Sequence, residues 1–439
     1  MKAALTADVE ARCVHQLFWR LLPFLLLLYV VNYLDRINVG FAALQMQSQL
    51  GFSDRVYGLG AGIFFAGYLL FQVPSNLALG RVGPRRWMAL IMVLWGVISC
   101  CMVLVRTGTQ FYELRFLLGA AEAGFFPGVI LYLRNWFPAT ARARAVSTFM
   151  TANPISGIVG GPISGALLGL HQFGIAGWQW MFVLEGLPAI LLALIVFIKL
   201  KDFPHQAKWL TPEEQQWLVN TLEEERKRHV DAMGSDVWTA LLTLGSRILL
   251  LTITYFGITT SSYGITLWLP KFIRSLSTLS NLGIGVVSVI PYLATGAFMV
   301  LVGISSDRTG KHRQHLTATA FAAAIFLFAA AYMTSIVPAI AFVSLALMCT
   351  QSMQGPFWAT ATSLMSGTTA AAGIALINSF GNLGGLFGPY IVGVSRSAGA
   401  GFRGGQLIIC IFLILAGIVS LLVRAPRQHS SPAEDNPLQ

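Results

Sequence analysis

The chain has 439 residues, 55% of them hydrophobic and only 11% charged, with a formal net charge of +11. A soluble globular protein carries about 25% charged residues, so this composition excludes one. The basic residues sit in short loops between apolar runs and form no basic domain, which excludes a nucleic-acid binder.

Apolar runs long enough to cross a hydrocarbon core about 30 Å thick recur along the whole chain. Period-2 alternation is absent, so these are helices and not the strands of a barrel. An all-α membrane protein with twelve transmembrane helices in two six-helix bundles is predicted. The spans fall at 18–41, 56–79, 86–106, 111–133, 144–169, 178–200, 247–272, 282–304, 316–335, 338–362, 370–394 and 403–424. Residues 1–17 show no cleavage site and are expected to remain as a cytoplasmic N-terminus. The bundles cover 18–200 and 247–424, a polar linker covers 201–246, and 425–439 form a cytoplasmic tail. Within the linker, Thr211-Pro212-Glu213-Glu214 reads as a helix start, with Thr211 and Glu214 closing a capping box.

With both termini in the cytoplasm, 21 of the 29 Lys and Arg fall on the inside. Arg55, Arg106, Lys271, Arg274, Arg396 and Arg403 fall outside, and Arg36 and Arg115 lie within spans. That asymmetry satisfies the positive-inside rule. The halves also repeat. Gly157, Gly160 and Gly161 of span five recur as Gly381, Gly384 and Gly385 of span eleven. Gly80-Arg81-Val82-Gly83-Pro84-Arg85 after span two recurs as Asp307-Arg308-Thr309-Gly310-Lys311-His312 after span eight. Parallel repeats of this kind rock as two bundles around a midplane site in secondary transporters.

Ionisable groups within spans cost about 3 kcal/mol each on insertion scales and mark function. Span one carries Tyr29, Asn32, Tyr33 and Arg36 on one face, with Asp35 about 100° away. Arg36 suits an organic anion, because a guanidinium binds carboxylate through two parallel hydrogen bonds; a structural Asp35–Arg36 pair is the bland alternative. Span four carries Arg115 and Glu122 two turns apart. Burial and a nearby arginine pull such a carboxylate in opposite directions, so Glu122 can load and release a proton. The alternative is a helix-to-helix lock. Glu185 of span six lies nearer the outer end and is assigned a structural role. No histidine lies deep in a span, so Asp35 and Glu122 are the deep candidates for carrying protons. Tyr68, Gln72, Ser261, Ser262, Tyr263, Gln351, Gln354, Trp358, Thr362, Asn378 and Asn382 supply polar and aromatic surface for a cavity or for helix–helix hydrogen bonds. The five cysteines, Cys13, Cys100, Cys101, Cys349 and Cys410, form no metal or disulfide pattern. No metal and no cofactor is expected.

Gly303…Asp307-Arg308-Thr309-Gly310-Lys311 resembles the signature loop of the major facilitator superfamily, Gly-x-x-x-Asp-Arg-x-Gly-Arg/Lys. The first copy departs from it, with Gly80 at the aspartate position and Pro84 at a basic one. Tyr33-Leu34-Asp35-Arg36-Ile37-Asn38, Pro74-Ser75-Asn76-Leu77, Arg115…Glu122-Ala123-Gly124-Phe125-Phe126-Pro127-Gly128 and Lys208-Trp209-Leu210-Thr211-Pro212-Glu213-Glu214 are similar to stretches of the anion:cation symporters within that superfamily. The resemblance implies a monomeric, non-enzymatic carrier of the bacterial inner membrane that takes up a small organic acid with protons. A metabolite or drug exporter on the same fold is the alternative. By the resemblance Arg36 is the substrate-carboxylate ligand, and Tyr33, Tyr68, Asn153, Trp358 and Asn378 line the substrate pocket. Asp35 and Glu122 are the proton sites, Arg115 modulates Glu122, and Asp307 and Arg308 belong to the gating loop.

Overall fold

The computed structural model describes the backbone of residues 2–231, 245–364 and 367–423. The described residues form helices and short connections, without a strand. Each predicted span lies on helix. Span one is a single helix, Lys2–Leu50; spans two, three and six are Asp54–Val82, Pro84–Cys101 and Gly177–Lys199; spans nine and twelve are His312–Ala330 and Gly401–Leu422. The other six are each built from two pieces. Span four is Gly108–Glu122 and Phe125–Trp136, and span five is Ala139–Met150 and Ala152–Leu167. Span seven is Gly245–Thr266 and Leu269–Ser275, and span eight is Asn281–Val287 and Val289–Thr309. Span ten is Ile336–Ser352 and Gln354–Ser363, and span eleven is Gly367–Gly381 and Gly384–Ser397.

Five of these six breaks have one cause. A proline ring removes the N–H that would bond the carbonyl four residues earlier. Pro127, Pro154, Pro270, Pro291 and Pro356 each sit four residues after the point where a helix piece stops or the turn opens. The sixth, in span eleven, opens at Asn382-Leu383 between two glycines. Starts are set by side-chain caps: Ser53 accepts from the Val56 amide at 3.2 Å, and Ser280 from that of Gly283 at 3.1 Å. In the linker helix, Pro212–Asp231, Glu214 N donates to Thr211 Oγ1 at 3.3 Å and Thr211 N to Glu214 Oε2 at 2.9 Å, which is the capping box.

Nine of the helical stretches among the described residues are long and apolar enough to cross a membrane by themselves; spans five, nine and eleven fall short on that measure. Spans five and eleven carry the repeated glycines, and each packs against the opposite bundle. Gly160 packs on Leu34 of span one, and Gly384, its repeat, on the backbone of Phe256 in span seven. Gly161 meets the carbonyl of Gly285 in span eight, and Gly385 meets the ring of Phe65 in span two. Equivalent glycines thus touch equivalent helices in the two bundles. Glycine is required at the Gly161–Gly285 crossing, where a Cβ on Gly285 would stand 2.2 Å from the Gly161 carbonyl oxygen.

The bundles are bonded to each other at the end away from the linker. Asp54, at the start of span two, accepts from Lys271 of span seven at 2.6 Å and from Arg396 of span eleven at 2.9 Å. Gln47 of span one also accepts from Lys271. Tyr57 donates to the Leu267 carbonyl at 2.6 Å. The rings of Trp268 and Phe402 flank the Arg396 guanidinium at 5.6 and 3.9 Å. At the other end the linker helix docks on the first bundle. Arg142 donates to Glu225 at 2.6 Å, Gln16 to Glu214 at 3.1 Å, and Trp209 stacks on Trp136 at 5.8 Å.

Candidate functional site

Inside the first bundle, spans one, two, three, four and six bring together five ionisable side chains that are at most 8% exposed: Asp35, Arg36, Arg115, Glu122 and Glu185. The centre of the cluster is Glu122. Its Oε2 accepts from Arg36 Nε at 2.8 Å and from Asn32 Nδ2 at 2.8 Å. Asn32 and Arg36 are one helical turn apart, so a single face of span one delivers both donors. The second oxygen of Glu122 has no partner, and neither has Arg36 Nη2.

Arg36 stands at the boundary of this cluster and the space between the bundles. Its guanidinium lies 5.1 Å from the Tyr68 ring and 5.5 Å from the Phe64 ring. Phe64 also carries Arg115 on its ring, at 5.0 Å. The Arg115 side chain is fully buried and donates to the carbonyls of Gly60 and Ala61 at 3.4 and 3.3 Å. The i, i+7 spacing places Arg115 and Glu122 on one face of span four, but the hydrogen-bonded cation at Glu122 comes from span one. Arg115 itself ties span four to span two.

Asp35 leaves span one on the side of span three and does not bond to Arg36 or Glu122. Its Oδ1 accepts from Ser99 of span three at 2.8 Å and from Asn38 one turn on at 3.3 Å. The structure therefore contains no Asp35–Arg36 hydrogen bond or ion pair: neighbours in sequence, the two leave the helix on different sides.

The remaining proposed substrate contacts fall into two groups. Tyr33 is buried, 6.4 Å from Tyr29. Tyr68 leads to the opposite bundle through its neighbours: Phe65 packs on Tyr263 at 4.3 Å, and Gln72 accepts from Ser379 at 3.0 Å. Trp358 packs edge-on against Tyr255 at 5.1 Å, and Tyr255 lies flat on Phe357 at 5.0 Å. Asn378 accepts from Asn382 at 3.1 Å. Asn153 is half-buried with its side-chain oxygen unpartnered. In the loop after span eight, Asp307 is 77% exposed and stands 3.9 Å from His312, and Arg308 is exposed. In the matching loop after span two, where the sequence lacks the aspartate, Asp202 Oδ1 accepts from the Arg85 amide at 3.0 Å instead. Tyr255, Phe64, Ser99 and Ser164 were not singled out by the sequence; each belongs to a helix whose inward face only the packing defines.

This arrangement can hold an anion against Arg36 and a proton on a carboxyl of the same bundle. Among the described residues, no group of three or more His, Cys, Asp and Glu could hold a metal ion.

Comparison with known proteins bears on the family and the fold. The model of the Major Facilitator Superfamily matches residues 25–389. An Agrobacterium vitis protein named "Putative tartrate transporter" is 44% identical, over 95% of this chain and 96% of its own. The "Quinolone resistance transporter" of Acinetobacter baumannii is 39% identical, over 95% and 96%. The structure of the xylose transporter XylE from E. coli in an inward-open conformation superposes with a TM-score of 0.76 at 14% identity, covering 94% of this chain and 98% of that one. The chain is a multi-pass integral membrane transport protein, not an enzyme, and belongs to the major facilitator superfamily.

Proposed function

We propose that the protein is a proton-coupled symporter that imports a small organic carboxylate by alternating access, with both termini and the linker in the cytoplasm. The observation that carries this reading is the Glu122–Arg36 pair, joined at 2.8 Å with Arg36 Nη2 left without a partner. Unpaired charge in a low-dielectric interior is costly. In the empty carrier Glu122 neutralises Arg36. A proton on Glu122 together with a substrate carboxylate on Arg36 restores the same neutrality. Either alone leaves one uncompensated charge. The bundles can therefore rock when empty or fully loaded, and are hindered when half loaded, which is the condition for coupling. The Asp54 bonds close the end away from the linker, so the arrangement described here is closed to the outside.

Tyr33, Tyr68, Asn153, Trp358 and Asn378 form the walls against which the rest of the substrate lies, Asp35 is a further proton site, and Asp307 and Arg308 steady the cytoplasmic loop. The name of the Agrobacterium relative makes tartrate the first acid to try, in a screen that runs from hydroxy-diacids to aromatic and sugar acids. In proteoliposomes, wild-type protein is expected to accumulate the acid when the outside is made acidic. Glu122→Gln is expected to abolish that accumulation and retain exchange of labelled for unlabelled substrate. Gradient-driven accumulation by Glu122→Gln at the wild-type level overturns the reading. The Acinetobacter relative's name favours a second reading, export. It is distinguished by intracellular accumulation of the compound in a deletion strain, where import instead shows as failed growth on the acid.

A further inference from the structure

Glu185 is the ionisable group of the buried cluster that the coupling scheme does not use. It lies on span six about eight residues in from Gly177, or roughly 12 Å along the helix from that end. Asp35 lies deeper, about fifteen residues or roughly 22 Å from the end of span one at Leu50. Spans one, three and five pack against span six around Glu185. From span five, Ser164 donates to Glu185 Oε1 at 2.7 Å. From span one, Asn38 donates to Asp35 Oδ1 at 3.3 Å, and its amide also bears on Glu185. From span three, Ser99 donates to Asp35 Oδ1 at 2.8 Å and Cys100 lies near it, and from span four Glu122 and Arg115 are the charged groups within its reach.

Two features of this arrangement call for a proton. The first is charge balance. The buried cluster holds two guanidiniums, Arg36 and Arg115, which do not deprotonate in proteins, and three carboxyls, Asp35, Glu122 and Glu185. Arg36 is spoken for by Glu122, and Arg115 is bonded to backbone carbonyls. Neither Asp35 nor Glu185 has an ion pair, and full ionisation leaves an excess negative charge in a site closed to water. The second is hydrogen bonding. Asp35 Oδ2, Asn38 Oδ1 and Glu185 Oε2 are all buried, and none has a donor. A buried acceptor without a donor is costly; the unpartnered indole N–H of Trp95 beside Asp35 can serve one of the three, and the other two lack a hydrogen. A carboxyl proton supplies it: O–H on Glu185 or on Asp35 can point to the oxygen of Asn38.

We infer that Asp35 and Glu185, joined through Asn38, share a proton that does not belong to the Glu122–Arg36 site, and that Glu185 is its entry point from the end away from the linker. This rests on the symport reading for its role in transport, while the presence of the proton does not. The proton moves by exchange alone: an O–H breaks at Glu185 as one forms at Asp35, and the negative charge moves the opposite way.

The test has two arms. Infrared difference spectra of purified wild-type protein, recorded in light and heavy water across neutral pH, should show the C=O stretch of a protonated carboxyl that Glu185→Gln diminishes and that Ser164→Ala shifts in frequency. A band that Glu185→Gln and Asp35→Asn both leave unchanged overturns the inference. In proteoliposomes, Glu185→Gln should keep substrate exchange within about twofold of wild type and slow acid-driven uptake severalfold, most strongly when the outer pH is highest. Equal slowing of exchange and uptake at every pH would mean a packing role and also overturns it. Failure of wild type to accumulate any acid on an imposed pH gradient would sink the symport reading alone, and the infrared band would still decide the shared proton.

Discussion

The two bundles are built alike and furnished differently. In the first, five ionisable side chains lie within the membrane span; in the second, the inward surface is Tyr255, Tyr263, Gln351, Trp358 and Asn378, all neutral. The frame is shared: Gly160 and Gly384 seat their spans on the first helix of each bundle, and Gly161 and Gly385 meet the facing bundle. Duplicated backbone therefore does not require duplicated chemistry. Buried charges are tolerated only where partners are close, so they gather in one bundle, where a rigid network can hold them through the motion. Neutral polar and aromatic groups need no such network and can face a cargo that comes and goes.

The sharpest way to break this contrast is at Arg36. Arg36→Ala leaves Glu122 with one side-chain donor and no hydrogen-bonded cation. Losing one partner of a buried ion pair costs about 3–5 kcal/mol, so uptake should fall by two to three orders of magnitude in labelled-substrate assays. Arg36→Lys should also fail, since an ammonium cannot serve Glu122 and a carboxylate in the planar, two-bond manner of a guanidinium; full rescue by Lys would show that charge alone matters. On the other side, Trp358→Ala removes an aromatic contact worth about 1 kcal/mol beyond its area. The apparent affinity should drop about tenfold and the ranking of acids should change, with the ratio of protons to substrate untouched. A changed ratio would mean that the second bundle takes part in coupling. Last, Asp54→Asn loosens the contact between the bundles and spares both interiors. Its two ion pairs are one-fifth exposed and screened, so together they contribute about 1 kcal/mol. The form open at that end should gain about fivefold, read as a longer distance between spin labels at Thr109 and Thr278, while exchange activity survives.

Much of this was legible in the sequence. Each of the twelve expected spans lies on helix although length and apolarity single out nine among the described residues, Thr211 and Glu214 announced the linker helix, and the intramembrane charges lie in the first half of the sequence. What was hidden is contact between helices. Spacing along span four suggested Arg115 as the cation for Glu122, because i, i+7 reports only which face a residue shares with others of its own helix. That face meets the backbone of span two, and Arg36 arrives from span one. Asp54, Lys271 and Arg396 show the same gap: they read as ordinary loop-end charges until folding brought three distant segments to one spot. The helix breaks were readable only in part. Pro127, Pro154, Pro270, Pro291 and Pro356 each forbid one hydrogen bond four residues upstream, but Pro23, Pro74, Pro162, Pro188 and Pro389 do the same inside unbroken helices, so proline position alone does not separate a break from a continuous span.

The closure at Asp54 also bears on speed. A carrier works by visiting both of its forms, and each extra 1.4 kcal/mol of depth in one form slows departure from it tenfold. Partly wet ion pairs, one tyrosine hydroxyl and a seam of bare backbone at Gly161 and Gly285 hold the door shut without a deep well. More dry contacts like that of the Tyr57 and Trp268 rings, 4.8 Å apart, would bolt it. The small residues thus act as a bearing as well as a seal: they let two large bodies sit close and part again, at a rhythm set by cargo rather than by the hinge.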